Sequence, residues 1–148
     1  MAHSIFDPTA RQALLARIDR LAPDAPAAWG QFTAPKMVAH LHDSVRMALG
    51  DIVIPRRKSF LSNPLMRYLI IHVVPFPKGA PTAPALLKRP PDDWRSDVAA
   101  LKQLIDRAAA NEAAGAWQPH PAFGEISTRD WGVLLHKHIA HHLTQFGA

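Results

Sequence analysis

Four of the nine histidines in this chain fall within ten residues, "HKHIAHHLTQ", from His136 to Gln145. Imidazoles can ligate a divalent metal, act as proton donors and acceptors, or simply sit on a basic surface. Helical geometry separates these uses, because residues on an α-helix advance about 100° each. With His138 at zero, His142 falls at about +40°, Trp131 at about +20°, Gln145 at about −20°, Leu134 at about −40° and Leu135 at about +60°. These residues share one face. His141 lies at its edge, near about −60°, and His136 lies nearly opposite, at about 160°, where solvent is expected. The four histidines are therefore not one cluster: His138 and His142 point inward together.

Two imidazoles four residues apart can direct one nitrogen each at a single ion. Burying both costs desolvation unless a hydrogen bond or a metal occupies their lone pairs. Ile139 follows His138, so the glutamate of the zinc-protease motif is absent and that reading fails. The chain has no cysteine, so disulfides, thiolate ligands and a cysteine nucleophile are excluded, and any transition-metal site must use histidine, carboxylate or amide ligands. A third ligand is needed, and His3, His40, His42, His72 and His120 are the candidates. His72 ends an apolar run and reads as packed or capping. His120, between prolines, reads as loop surface, and His3 lies in a terminus expected to fray. His40 and His42 point about 160° apart on one helix, so only one can face the core, and the wheel does not choose between them. Asp43, at about −60° from His40, is a candidate proton acceptor or a surface carboxylate. Trp131 is the tryptophan with the best claim to line a pocket.

Five helical segments must position these residues. The first opens at Asp7-Pro8 and runs to Pro23, and the second spans about Thr33 to Gly50, with Pro35 in its first turn. The third opens at Asn63-Pro64 and ends near Val74, where β-branched residues also permit a strand. The fourth runs from about Asp92 to Glu112, and the fifth opens with Ser127 as N-cap and Asp130 in a capping-box position. Alternating strand patterns are nearly absent, so an all-α bundle is expected. Between the third and fourth segments, "PFPKGAPTAPALLKRPPDD" carries six of the fourteen prolines. A connection of that length is a functional loop or a crossover.

At 148 residues the chain has the length of one domain, 1–148, and its composition, 48% hydrophobic and 20% charged, is that of a soluble globular protein. The longest apolar run, Tyr68 to Phe76, is short of a membrane span. No secretory pattern opens the chain, so a cytoplasmic location and no membrane partner are expected. The net charge of +5 is scattered, without interleaved aromatics, so nucleic-acid binding is not expected.

"HIAHHLTQFG" resembles the C-terminal helix of the DinB-like (DinB/YfiT) metalloenzyme superfamily, in which a H-x-x-x-H pair is followed by glutamine. "APKMVAHLHDSVRMALG" resembles that superfamily's earlier histidine-bearing helix, and "NPLMRYLIIHVVPFPKGAPTAP" and "HPAFGEISTRDWG" resemble an uncharacterised bacterial branch of it. The resemblance implies a four-helix bundle with an up-down-down-up path, a long crossover connection and a short additional helix. It implies a divalent metal, zinc or nickel, on His40, His138 and His142, with His141 and Gln145 next to the ligands. It also implies a metal-dependent thiol S-transferase or hydrolase, a small-molecule or low-molecular-weight thiol substrate, and a homodimer. The competing expectation is a metal-stabilised, stress-related dimeric bundle with no activity, in which a fourth protein ligand closes the site.

Overall fold

The computed structural model describes residues 2–148. Helix α1, Pro8–Asp19, begins where the Asp7 carboxylate accepts hydrogen bonds from the Thr9 and Ala10 amides and Pro8 presets the first turn. Helix α2, Ala34–Leu49, is capped by Thr33 and stops at Gly50, whose φ of 83° is open to glycine at no steric cost. Helix α3, Pro64–Tyr68, is capped by Asn63 and runs into a π turn, Leu69–Val73. Helix α4, Trp94–Ala110, starts at Asp93, and helix α5, Thr128–Gln145, starts at Ser127, whose side chain accepts from the Asp130 amide. One 3-10 turn, Phe60–Ser62, precedes α3, and another, Pro84–Leu87, lies in the proline-rich connection. The all-α class expected from the sequence is what the chain adopts: five α-helices and no strand among the described residues.

Helices α1 and α2 each pack against both α4 and α5, so the four long helices close a ring. Leu14 and Ile18 of α1, Leu41 and Val45 of α2, Leu101 and Ile105 of α4, and Ile139 and Leu143 of α5 fill its interior. Each such side chain contributes about 1.5–3 kcal/mol on removal from water. α2 is buried on most of its circumference, which is how polar His40 and Ser44 come to lie inside. No helix among the described residues is long and apolar enough to cross a membrane.

The connection between α2 and α4 is tied down rather than loose. The β-branched end of the third segment becomes the π turn, not a strand. Lys137 of α5 donates to the carbonyls of Ile70, Ile71 and Val74 in and after that turn. His72 Nε2 lies 2.6 Å from Asp130 Oδ1, a second tie to α5. Further on, the turn Pro84–Leu87 packs on α2 and buries Leu86. These ties set backbone from the connection directly over the histidines.

Candidate metal centre

The structure brings together His40 from α2 and His138 and His142 from α5. One ring nitrogen from each lies within 4.8 Å of the others, and no other histidine or carboxylate among the described residues joins the group. The ring centroids form a nearly equilateral triangle, 5.1 Å for His40–His138, 5.0 Å for His40–His142 and 4.9 Å for His138–His142. His40 is 3% exposed and His142 8%, while His138 is half-buried. The 100° advance of α5 aligns its pair, and α2 supplies the third ring because His40, not His42, lies on the buried side facing α5. His42 points instead to Asp43.

The neighbours of these rings fix their protonation. His40 Nδ1 lies 3.1 Å from the Leu86 carbonyl oxygen, which can only accept, so Nδ1 carries the proton and Nε2 presents a lone pair. Gln145 Nε2 donates to the Trp29 carbonyl at 2.8 Å, which orients the amide and turns Oε1 towards His142 Nδ1 at 2.8 Å. That nitrogen must therefore donate, and His142 Nε2 is left bare as well. His40 Nε2 faces His138 Nε2 at 3.2 Å. Nitrogens that close need a positive species between them, either a proton from His138 or a cation touching both. A tetrahedral zinc with Zn–N of about 2.0–2.1 Å places its ligand nitrogens about 3.3 Å apart, so the spacing suits a cation of that size.

Electrostatics point the same way. Burial lowers the pKa of all three histidines, of His142 to about 4 and of His138 well below its ordinary value. The other imidazoles push His138 and His142 further down, whereas the Leu86 carbonyl and Asp43 partly offset the effect at His40. All three rings are thus neutral near pH 7, the form that ligates metal. Around them, Phe32 stacks on His40 at 5.2 Å and meets His142 edge-on, and Phe76 meets His138 edge-on at 6.3 Å. This collar lowers the local dielectric.

The remaining candidates are placed as follows. His141 is half-buried, 5.4 Å from the Trp29 ring and 5.9 Å from Phe76, beside the triad and outside it. Gln145 is the hydrogen-bond partner of His142. Asp43 is buried at 8% exposure, and its Oδ1 lies 3.4 Å from His42 Nδ1 and 3.6 and 3.7 Å from the Arg46 and Arg89 guanidinium groups, so its charge is engaged there rather than directed at the triad. Trp131 lies in the core, stacked on Trp117 at 5.9 Å. His120, expected at the loop surface, turns in beside Trp131 and Phe123, and its Nδ1 accepts from the Ala122 and Phe123 amides. His136 is half-buried against His3 instead of facing open solvent. The sequence reading missed the Leu86 and Trp29 carbonyls and the rings of Phe32 and Phe76. Gly30 was an available signal: its φ is 75°, and a Cβ there would lie 2.9 Å from Gln145 Nε2.

A family model described as "Protein of unknown function (DUF1569)" matches residues 5–148. No curated protein and no solved structure matches the chain. The resemblance to the DinB-like superfamily is thereby corrected: the model that covers the chain is a different one, and the expectations drawn from that likeness lose that support.

Proposed function

The chain belongs to the DUF1569 family, and from the site alone we propose that it binds one divalent metal ion through His40, His138 and His142 and uses it as a Lewis acid, in a hydrolysis or a thiol transfer. The observation that carries this reading is the pair of bare Nε2 atoms, each enforced by an acceptor on the far side of its ring. Carboxylate or carbonyl partners behind the ligating ring are the usual support of a metal-bound histidine. A cation held by three neutral imidazoles polarises a bound oxygen or sulfur and acidifies water. Zinc or nickel is the ion proposed, since imidazole suits both. The Leu86 carbonyl and Gln145 orient the rings, and Phe32 and Phe76 keep bulk water from their faces.

Three protein ligands leave a position for substrate, which supports a reaction over a closed structural site. The closeness of His141, 5.4 Å from the His142 ring, supports a second reading in which it swings in as a fourth ligand of an inactive, metal-stabilised bundle. Stripped protein reconstituted with cobalt separates these. The first reading expects about one ion per chain by elemental analysis, loss of it in His142→Ala, and a sulfur-to-cobalt charge-transfer band on adding 2-mercaptoethanol. No bound ion after reconstitution sinks both readings. A bound ion whose spectrum ignores the thiol sinks the catalytic one.

A further inference from the structure

Beside the triad lies an open groove of about 630 Å³, whose walls include Trp29, Phe76, Lys78 and His141. That volume is in the range of small-molecule sites. Phe76 and His141 belong both to the groove and to the collar around the metal ligands, 6.3 Å from the His138 ring and 5.4 Å from the His142 ring respectively. No carboxylate lines the groove. Two acids that act on its lining histidines are engaged elsewhere: Asp130 holds His72 at 2.6 Å, and Asp7, which acts on His136, caps α1. Of its two lysines, Lys137 is used up on the carbonyls of Ile70, Ile71 and Val74. Lys78 is exposed, forms no ion pair among the described residues, and rests 4.7 Å over the Trp29 ring. A cation without a carboxylate, in a groove that holds two aromatic rings and reaches the histidine triad through Phe76 and His141, is the layout of a seat for an organic anion.

We propose that this groove is the substrate seat of the metal site and that it selects small organic anions, carboxylates or phosphate monoesters, with Lys78 taking the charged group and Trp29 and Phe76 the apolar body. The proposal rests on the metal reading for its catalytic meaning, but the binding itself is measurable without metal. Specificity then comes from charge, because a neutral analogue of the same shape keeps the ring contacts and loses the Lys78 contact.

The test is a titration of the full chain with phenyl phosphate, benzoate and the neutral benzyl alcohol, followed by amide and indole shifts in heteronuclear NMR, in metal-loaded and in chelator-treated protein. Both anions are expected to bind at least about tenfold more tightly than the alcohol, with shifts at Trp29, Phe76 and His141 and with affinity that falls as salt rises. Lys78→Gln should weaken the anions about tenfold and leave the alcohol unchanged. The conservative Lys78→Arg should restore the anions. Equal binding of anion and alcohol, or anion binding that Lys78→Gln leaves intact, overturns the proposal. A chain that takes up no metal but still prefers the anions would retire the metal reading and leave the groove assignment standing. A metal-loaded chain with no anion preference would do the reverse.

Discussion

The most discriminating perturbation of the triad is one that leaves every ligand in place. Gln145→Leu keeps nearly the same volume at a position 3% exposed and removes two hydrogen bonds, one to His142 Nδ1 and one to the Trp29 carbonyl, both at 2.8 Å. His142 is then free to place its proton on either nitrogen and to rotate, and the tautomer protonated at Nε2 offers no lone pair there to an ion. Loss of such an outer partner typically costs about 10- to 100-fold in metal affinity, which is about 1.4–2.7 kcal/mol. Without metal, the stranded Nδ1–H costs about 1–3 kcal/mol of stability, partly offset by the burial of leucine. Gln145→Glu sharpens the comparison. Its carboxylate still accepts from His142 Nδ1, but it sets an oxygen against the Trp29 carbonyl, so it keeps the tautomer and loses the brace. Zinc affinity, read by competition with a chromophoric chelator, should fall in the order wild type, Glu variant, Leu variant, with His142→Ala as the floor. Circular dichroism of the metal-free proteins checks that each variant is folded. A folded Leu variant that binds within about twofold of wild type would refute the assignment of the His142 tautomer to Gln145.

Two further outcomes follow from the same geometry. Burial lowers the His120 pKa from 6.5 to about 4, so the folded state favours the neutral ring. Stability from this group is complete above the unfolded value and is lost as pH falls from 6.5 towards 4, at most about 3 kcal/mol at about 1.4 kcal/mol per unit. In His120→Asn, Oδ1 can accept the same Ala122 and Phe123 amides without titrating, so urea melts of chelator-treated protein at about pH 7.5 and about pH 5 should differ less than in wild type. The wild-type loss is shared by His40, His138 and His142, whose values shift in the same direction. At Gly132, where the Ile5 amide donates to the backbone carbonyl at 3.1 Å, a Cβ would overlap the Phe6 ring and Ser4 Oγ. Gly132→Ala should therefore destabilise by about 1–2 kcal/mol despite the better helix former, and hydrogen exchange should speed up at Ile5 first.

What the sequence made legible was what repeats with helical period or caps a helix. Asp7-Pro8, Thr33 with Gly50, and Ser127 with Asp130 announced helix ends because a cap is a local contract between a side chain and the next amides. The inward pair His138 and His142 was legible because both sit on one rigid element. The third nitrogen was not: whether His40 or His42 faces α5 depends on how α2 is rotated in the bundle, a sum over contacts with α4, α5 and the connection. The Leu86 carbonyl was out of reach for a stronger reason. A backbone oxygen has no side-chain signature, and it arrives at His40 only because His72–Asp130, Lys137 and the buried Leu86 side chain fix a connection whose prolines say where it turns but not where it lands. His120 misled for a related reason, since flanking prolines mark a loop without saying that the loop folds inward.

The corrected family assignment has a physical explanation in the motif itself. A helix that offers two imidazoles to one ion must space them three or four residues apart, because only those positions share a face. If one ring is to be braced from the same helix, the bracing side chain must lie one turn further on, and a glutamine at that place reaches back to Nδ1, as Gln145 does for His142. The string H-x-x-x-H-x-x-Q is therefore close to the shortest solution available to any α-helix that carries two-thirds of a metal site. A match to that string alone therefore carries little weight for assigning a family. Such a string speaks to ring placement and protonation, which the structure supports here through the Trp29 carbonyl. It says little about descent or about the molecule that meets the metal. What could reach such a site depends instead on parts that the helix does not dictate, such as the groove rings Trp29 and Phe76 and Lys78, which lies over the Trp29 ring.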